Sequence, residues 1–563
     1  MEELKSIIDK FDVISFDVFD TLLLRPYLTQ EDLWFDLGRR ELGEKDGAAF
    51  LKARIAADKK TYAEATKRGG EHTLEEAYRL MPKRYVSLME KEERLQRECL
   101  AANPEMLAVW KRAGELGKTR IIVSDMYLSE AWFSVTLKEN GLGDYNALYV
   151  SSARQARKSS GKLFKIVKTD WIGKRVLHIG DNVRSDVEKA EEVGFSAFHS
   201  RSPRDKVFSI CPFLKVYLTK WTSFEKRLQV GSLVQGYMTC VGYGKDYWWR
   251  LGYFFGGVLG YLYVTWLAEE SMSRGVKHLM FVARDGYLWQ RLFDSLKTGI
   301  KTDYFYAPRM TSVKVCGVIG TDPGAMSERQ QILDSLPNND AGKELKRYRD
   351  YLKQYDVSQD TAIVDGCSSA FSVQRLVEAT CGRPVLTFYL RAISPLANGA
   401  ALYEPKCCCR WQMLSEFLFS SPERPIDDVD GFSPKYRDDI VESEAFRESV
   451  FDNMAAGVCE GFDALRAITF KGFQLMSRQD WLDYFDAFQW GMTEDDEKNL
   501  RQAKNAWQIR QENFAPIVAK PKQKRVTRRL GIPFDVYRGR PTVNGCWERF
   551  YAFGVILAFL RKS

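Results

Sequence analysis

Residues 13–24, VISFDVFDTLLL, put two carboxylates and a hydroxyl, Asp17, Asp20 and Thr21, directly after an apolar run of strand length (Val13, Ile14, Phe16). A buried strand delivers a side chain in this way to the tip of a sheet, where a carboxylate serves as a nucleophile or a cation ligand. The same residues also fit an ordinary strand whose acids cap the next turn. Three later segments favour the chemical reading. Ser124 and Asp125 follow Ile121, Ile122 and Val123. Ser151, Ser152 and then Lys158 follow Tyr149 and Val150. Asp181 and Asp186 follow Val176, Leu177, Ile179 and Gly180. Singly these are weak signals, because a serine or lysine after a strand is more often a cap or a solvated side chain. In this order they supply a nucleophilic carboxylate, a hydroxyl, a lysine and an acid pair. Those are the parts needed to transfer a phosphoryl group through an aspartyl intermediate with bound magnesium.

Strands and helices in alternation are required to hold these groups together. Strand signals at 119–123, 147–150 and 175–179 are separated by helical sequence, which argues for a Rossmann-like parallel sheet with helices on both faces. Thr29 with Asp32 and Thr73 with Glu76 have capping-box spacing, and each precedes apolar residues at helical intervals (Leu33, Leu37; Leu74, Ala77, Tyr78). A mostly helical insert at about 26–101 thus follows the first strand and forms a cap over its tip. The fold class is α/β. We expect a catalytic domain at 1–205, a connection at 206–244, a second α/β domain at 245–450 and a helical C-terminal region at 451–563.

The segments DVFDT, SD, SSGKLF with the lysine before it, and GDNVRSD followed by AEEVG resemble, as a set, the four motifs of the haloacid dehalogenase superfamily, over about the first 200 residues. The resemblance implies that Asp17 attacks phosphorus, that Ser124 holds a phosphoryl oxygen, and that Asp181 binds Mg2+ directly and Asp186 directly or through water. The main-chain carbonyl of Phe19 is implied as a further metal ligand. The motif lysine precedes a phenylalanine by six residues in many members, and Lys158 stands so to Phe164, which favours it over Lys162. Thr21 and Asp125 are expected beside the substrate. Two facing carboxylates repel unless a divalent cation lies between them, and magnesium prefers this hard oxygen shell. Lysine neutralises the nucleophile and the transferring group, while serine orients it.

One position departs from the superfamily's phosphatases, which carry a second aspartate two residues after the nucleophile to protonate the leaving oxygen. Here that residue is Phe19. General acid–base assistance is worth roughly 10²–10⁴-fold, so its loss slows turnover or restricts substrates to good leaving groups. Asp20 stands one residue later as a substitute. The superfamily's dehalogenases have an aromatic residue at this place but need no metal, so Asp181 and Asp186 favour phosphoryl chemistry. The expected activity is that of a phosphohydrolase or phosphotransferase acting on a small phosphorylated metabolite, a sugar phosphate first among them.

In the second half, HLMFVARDGYLWQRLF and TAIVDGCSSAFSVQRLV each run from an apolar strand through an acid and a glycine into a helix. Asp285 and Asp365, with Arg284, Arg309 and Arg391, are the candidate substrate-binding residues there. The alternative is that both acids cap helices. This half resembles, less specifically, the partner domain found beside dehalogenase-type domains in proteins of bacterial surface-polysaccharide synthesis. That resemblance implies nucleotide-sugar chemistry and an alternative function: a glycosyltransferase-like or bifunctional enzyme whose first domain is regulatory or non-catalytic.

Composition sets the remaining bounds. The 563 residues exceed one core, and 45% hydrophobic with 28% charged is that of a folded globular chain. A formal charge of +8 favours anionic partners without implying specific nucleic-acid binding. The basic run Lys520, Lys522, Lys524, Arg525, Arg528 and Arg529 reads as a solvated loop. Eleven scattered cysteines behind the mixed-charge start MEELKSIIDK read as reduced thiols in a cytoplasm, with the triplet 407–409 as a buried strand and a zinc site as its alternative. Residues 251–268 approach membrane length but read better as a buried helix, and the tail at 550–560 as core or as a peripheral membrane anchor.

Overall fold

The computed structural model describes residues 2–221, 223–240, 245–320, 323–336, 340–368, 370–392, 398–403, 412–438, 442–467, 477–505, 515–517, 522–523, 535–539, 547–552 and 555–560. The chain divides into two compact units, Met1–Gly242 with Ala467–Leu475, and Tyr243–Arg466 with Met476–Ser563.

Unit 1 is built on a five-stranded parallel sheet of β1 (Val13–Phe16), β2 (Thr119–Ser124), β3 (Ala147–Val150), β4 (Val176–Gly180) and β5 (Ser196–His199). The strand order is β3-β2-β1-β4-β5. Every residue of β1 and β4 is buried, as expected where helices cover both faces of a parallel sheet. Val13, Ile121 and Val123 pack with Phe164 and Val167 in one core cluster. The order reverses between β1 and β4, and an open parallel sheet forms its ligand crevice outside the strand ends at such a point.

After β1 the chain leaves the sheet and returns through a short antiparallel ladder, Leu23–Leu24 against Ala101–Ala102. Between them lie α1 (Gln30–Lys67, broken at Gly43), α2 (Leu74–Arg79) and α3 (Leu88–Glu98), the expected helical cap. Thr73 Oγ1 accepts from Glu76 N, and the Glu76 side chain accepts in turn from Thr73 N. The cap is organised by one buried carboxylate. Glu92 accepts from Arg54 Nε at 2.9 Å and from Trp34, Tyr78 and Tyr127 at 3.0, 2.9 and 2.8 Å. The Arg54 guanidinium lies 4.2 Å from the Trp34 ring centroid. Helices α4 (Pro104–Glu115), α5 (Glu130–Glu139) and α6 (Lys162–Asp170) flank the sheet.

The expected connection at 206–244 is corrected. Helices α7 (Pro203–Ile210), α8 (Phe213–Trp221) and α9 (Phe224–Thr239) occupy it, and all belong to unit 1. Arg227 Nε donates to Asp32 at 2.6 Å, and Gln235 Nε2 donates to the Leu24 and Cys99 carbonyls at 3.0 and 2.7 Å, which fastens α9 to the root of the cap.

Unit 2 opens on the helix α10 (Tyr247–Ser273), whose most apolar window is 94% buried, so this helix is core. A π-turn interrupts it at Gly252–Gly256. It crosses α14 (Glu442–Arg466) at backbone contact: a Cβ on Gly252 would meet the Met454 carbonyl oxygen at 2.2 Å, and one on Gly461 the Tyr253 carbonyl oxygen at 2.2 Å. A second five-stranded parallel sheet joins β6 (His278–Val282), β7 (Lys301–Phe305), β8 (Thr361–Ser368), β9 (Leu386–Ala392) and β10 (Gly399–Tyr403), in the order β10-β9-β8-β6-β7. The helix α11 (Tyr287–Ser295) follows β6, and α12 (Ser372–Cys381) follows β8. The C-terminal region is helical through Leu500, with Arg478–Trp490 and Glu494–Leu500 after α14. Beyond it the described residues are short strands, including a four-stranded antiparallel sheet that ends in Trp547–Ala552 and Val555–Leu560. Within the tail at 550–560 the described residues, 550–552 and 555–560, are strand. The cysteine triplet and, but for Lys522, the basic run lie outside the described residues. Cys99, Cys316, Cys381 and Cys459 are free thiols.

Candidate active site

Asp17 stands at the exit of β1, its backbone N–H bonded to the Ile179 carbonyl of β4 at 2.9 Å. Its carboxylate is 6% exposed. Asp181 follows β4 directly, and Asp186 lies on the next turn, where the Asn182 side chain caps the backbone N–H groups of Arg184 and Ser185. Asp186 packs so closely over Gly180 that a Cβ there would meet its carboxylate at 2.5 Å, which requires glycine at the strand end. One oxygen from each of Asp17, Asp181 and Asp186 lies within 4.8 Å of the others.

Lys158 Nζ reaches Asp17 Oδ1 at 2.5 Å and Asp186 Oδ1 at 2.6 Å, with all three side chains buried. Lys162 points elsewhere, its ammonium on the Gly69 carbonyl at 3.2 Å. Burial, reinforced by Asp186 and Asp181 and opposed by Lys158, pushes the Asp17 carboxyl up to about 8. Burial, then Asp20 and Asp186, push Asp181 up to about 6. Burial also acts to raise Asp186, but the Lys158 ammonium and His178 outweigh it and hold that carboxyl below the usual range. One lysine does not neutralise three carboxylates. The lysine and a divalent cation together do, and this all-oxygen donor set suits magnesium.

The hydroxyls of Thr21 and Ser124 are buried and have no hydrogen-bond partner among the described residues. Such a group costs roughly 1–3 kcal/mol unless a ligand satisfies it. Both flank Asp17, Thr21 four residues after it and Ser124 at the end of the adjacent strand β2.

Two expected residues are engaged elsewhere. Asp125 accepts from the backbone N–H of Lys158 at 2.7 Å and of Ser159 at 3.3 Å, so its carboxylate positions the lysine loop and is not free for substrate. Asp20, in a left-handed conformation (φ 59), takes Arg25 Nη2 on Oδ2 at 3.2 Å. The Phe19 ring packs against Trp132 and Phe133, with centroids 6.5 and 5.9 Å away. Its bridge to Leu23 runs through the Val18 carbonyl and the Asp20 N–H, which leaves the Phe19 carbonyl out of that pairing.

Sequence reading missed three contributors. His178 and Ser15 pair across β4 and β1, Ser15 Oγ 2.8 Å from His178 Nδ1, with Nε2 3.5 Å from Asp186. Two polar residues inside apolar strands were the available signal. Arg157 bonds Glu71 at 2.9 Å and Thr66 at 2.9 Å, which ties the lysine loop to the cap. Arg25 lies over the Phe19 ring at 5.4 Å.

In unit 2, Asp285 follows β6, while Asp365 lies within β8, which runs on to Ser368 and does not end at the acid; Asp285 Oδ2 is 3.6 Å from where a Cβ on Gly366 would stand. Asp285 accepts from Ser420 at 2.7 Å. Burial, then Asp285, push the Asp365 carboxyl up to about 7. Arg284, at φ 70, is bound through Nη2 to both oxygens of Glu444. Arg309 begins the helix Arg309–Cys316 and acts electrostatically on Asp365, while Arg391 lies on β9. The cavity of about 440 Å³ in this unit lies between α11 and α14, along Tyr287, Arg291, Phe451 and Asp463, and none of Arg284, Asp285 and Asp365 lines it.

No protein-family profile and no curated protein matches the chain. Among solved structures it is similar to L-2-haloacid dehalogenase from Xanthobacter autotrophicus, at 15% identity over 39% of this chain and 87% of that one, with a TM-score of 0.29. It is similar to a HAD phosphatase from Thermococcus onnurineus, at 20% identity over 33% and 84%, with a TM-score of 0.25. It is also similar to the HAD-hydrolase YfnB from Bacillus subtilis bound to magnesium, at 15% identity over 36% and 98%, with a TM-score of 0.25.

Proposed function

We propose that unit 1 is a magnesium-dependent phosphohydrolase or phosphotransferase of the haloacid dehalogenase type, acting through an aspartyl-phosphate at Asp17 on a small phosphorylated metabolite, with sugar phosphates the first class to try. The observation that carries this reading is the convergence of Asp17, Asp181 and Asp186 within 4.8 Å, with the Lys158 ammonium on two of them. Asp17 attacks phosphorus. Lys158 neutralises the nucleophile and the charge on the transferring group. The unpartnered hydroxyls of Ser124 and Thr21 take phosphoryl oxygens and fix their orientation. Asp17, Asp181 and Asp186, with the Phe19 carbonyl as a further donor, would hold Mg2+, which when bound polarises the phosphoryl group. The cap excludes water and selects the substrate. The test is Asp17→Asn in the full chain: magnesium-dependent phosphate release from an aryl phosphate is lost while the circular dichroism spectrum is kept. Unchanged turnover removes Asp17 as the nucleophile.

A second reading gives unit 2 a sugar-transfer activity and unit 1 a regulatory role. The buried Asp365 of β8, beside the Asp285 that follows the adjacent strand β6, favours it. Loss of a nucleotide-sugar product in Asp285→Ala, with Asp17 intact, would support it. An unaltered product yield would remove it.

A further inference from the structure

In an in-line displacement on Asp17 the leaving oxygen lies opposite the nucleophile, on the side away from the sheet. Phe19 follows Asp17 by two residues, just beyond the end of β1. Val18 turns into the core, fully buried, whereas Phe19 is partly exposed and packs against Trp132, whose indole N–H donates to the Glu93 carbonyl of the cap helix α3 at 2.9 Å. A phenyl ring has no proton to give. The ionisable groups that act on Asp17, namely Lys158, Asp186 and Asp181, are bound to one another or belong to the cation cluster. Asp20 is taken by Arg25.

A fixed positive charge does stand beside Phe19. The Arg25 guanidinium stands 5.4 Å from the Phe19 centroid, feels the charge of Asp181, and keeps a buried Nε with no hydrogen-bond partner among the described residues. A guanidinium stabilises an anion by charge and hydrogen bonds, yet it does not surrender a proton.

We infer that the site cleaves phosphoric anhydrides, acyl phosphates and phosphoanhydrides, whose leaving oxygen departs as an anion against Arg25, in preference to alkyl phosphate esters. The inference rests on Asp17 being the nucleophile, as proposed above. An Asp17 oxygen bonds to phosphorus, the bond to the leaving oxygen breaks, and the electron pair stays on that oxygen as carboxylate or phosphate. No proton is transferred in this step. Water then adds to phosphorus, the bond from phosphorus to the Asp17 oxygen breaks and returns Asp17 as a carboxylate, and both water protons stay with the phosphate, which leaves as dihydrogen phosphate. An unprotonated alkoxide is a far poorer leaving group, and general acid assistance worth roughly 10²–10⁴-fold is what this arrangement forgoes. The sugar-phosphate expectation narrows accordingly, towards sugars carried on an anhydride linkage.

The experiment measures kcat/KM of the full chain with Mg2+ for acetyl phosphate, a series of aryl phosphates of graded leaving-group pKa, and an alkyl phosphate. We expect kcat/KM to fall steeply with leaving-group pKa, with acetyl phosphate ahead of the alkyl ester by at least about 10²-fold. Phe19→Asp is expected to raise the alkyl rate and flatten the dependence, and Arg25→Gln to lower the acetyl phosphate rate about tenfold or more. Equal rates for acetyl and alkyl phosphate in the unmodified chain overturn this inference and leave the nucleophile assignment standing. No phosphate release from any of the substrates overturns the functional reading and the inference with it.

Discussion

Lys158 Nζ lies 2.5 Å from Asp17 Oδ1 although 141 residues separate them in sequence, and both side chains are buried. The lysine is the only cation in direct contact with that carboxylate among the described residues, so it serves the fold as well as the chemistry. Lys158→Met is expected to cut phosphate release at least about 10²-fold. It should also destabilise the metal-free protein by about 3–5 kcal/mol, the usual cost of leaving one side of a buried pair alone. Lys162→Ala, whose ammonium reaches only the Gly69 carbonyl, should keep both properties. Parallel steady-state and thermal-melt measurements check this; equal effects of the two substitutions would reverse the assignment.

The carboxylate cluster should respond to its cation. At about 100 times Kd, bound Mg2+ stabilises a folded chain by about 2.7 kcal/mol. Unit 1 of the unmodified chain should therefore melt several degrees higher with saturating Mg2+ than with chelator, and Asp181→Asn should reduce the difference. A magnesium shift of equal size in that variant would place the ion elsewhere.

Much of this arrangement was legible. Asp17, Ser124, Lys158 and Asp181 each follow an apolar run of strand length, and in a parallel sheet such runs end on one edge, so convergence follows from topology. Side chains that bond across long sequence distances left no such mark. Asp125 looked like a substrate ligand because nothing local reveals that its partners are N–H groups 33 and 34 residues later. Glu92 lies in LMEKEERLQRE, which reads as a solvated helix face, yet it is fully buried on Arg54. Helix α9 hid because Leu228 to Val234 are buried in succession, which erases the one-sided apolar stripe that marks a surface helix.

The buried position of Glu92 makes a prediction for the cap. Glu92→Ala removes the acceptor for Arg54, Trp34, Tyr78 and Tyr127 together and strands the Arg54 cation in the interior. We expect unit 1 to lose about 3–5 kcal/mol, with the cap becoming the first protease-sensitive segment. Arg54→Met combined with Glu92→Met should cost less than Glu92→Ala alone, because no unpaired charge remains. Denaturant titration of the two variants beside the unmodified chain decides; a loss under about 0.5 kcal/mol for Glu92→Ala would mean that water reaches the site.

Asp365 gives unit 2 a pH dependence of defined sign. Its carboxyl is 8% exposed, and burial with the neighbouring Asp285 lifts it from 3.8 to about 7. Between those values the folded chain keeps the proton and the unfolded chain releases it, so raising the pH favours unfolding. The stability present below pH 4 is thus lost progressively until about pH 7. Asp365→Asn keeps an acceptor for the Gly366 N–H, 2.8 Å away in the unmodified chain, and removes the titration. Its melting temperature should exceed that of the unmodified chain at pH 8, and the excess should shrink as the pH falls to 5. At 1.36 kcal/mol per pKa unit the ceiling at pH 8 is about 4 kcal/mol, and relaxation around the charge should bring the measured gain nearer about 1–2 kcal/mol. A variant less stable at pH 8 than at pH 5, relative to the unmodified chain, would show that the Asp365 anion is held by a cationic partner.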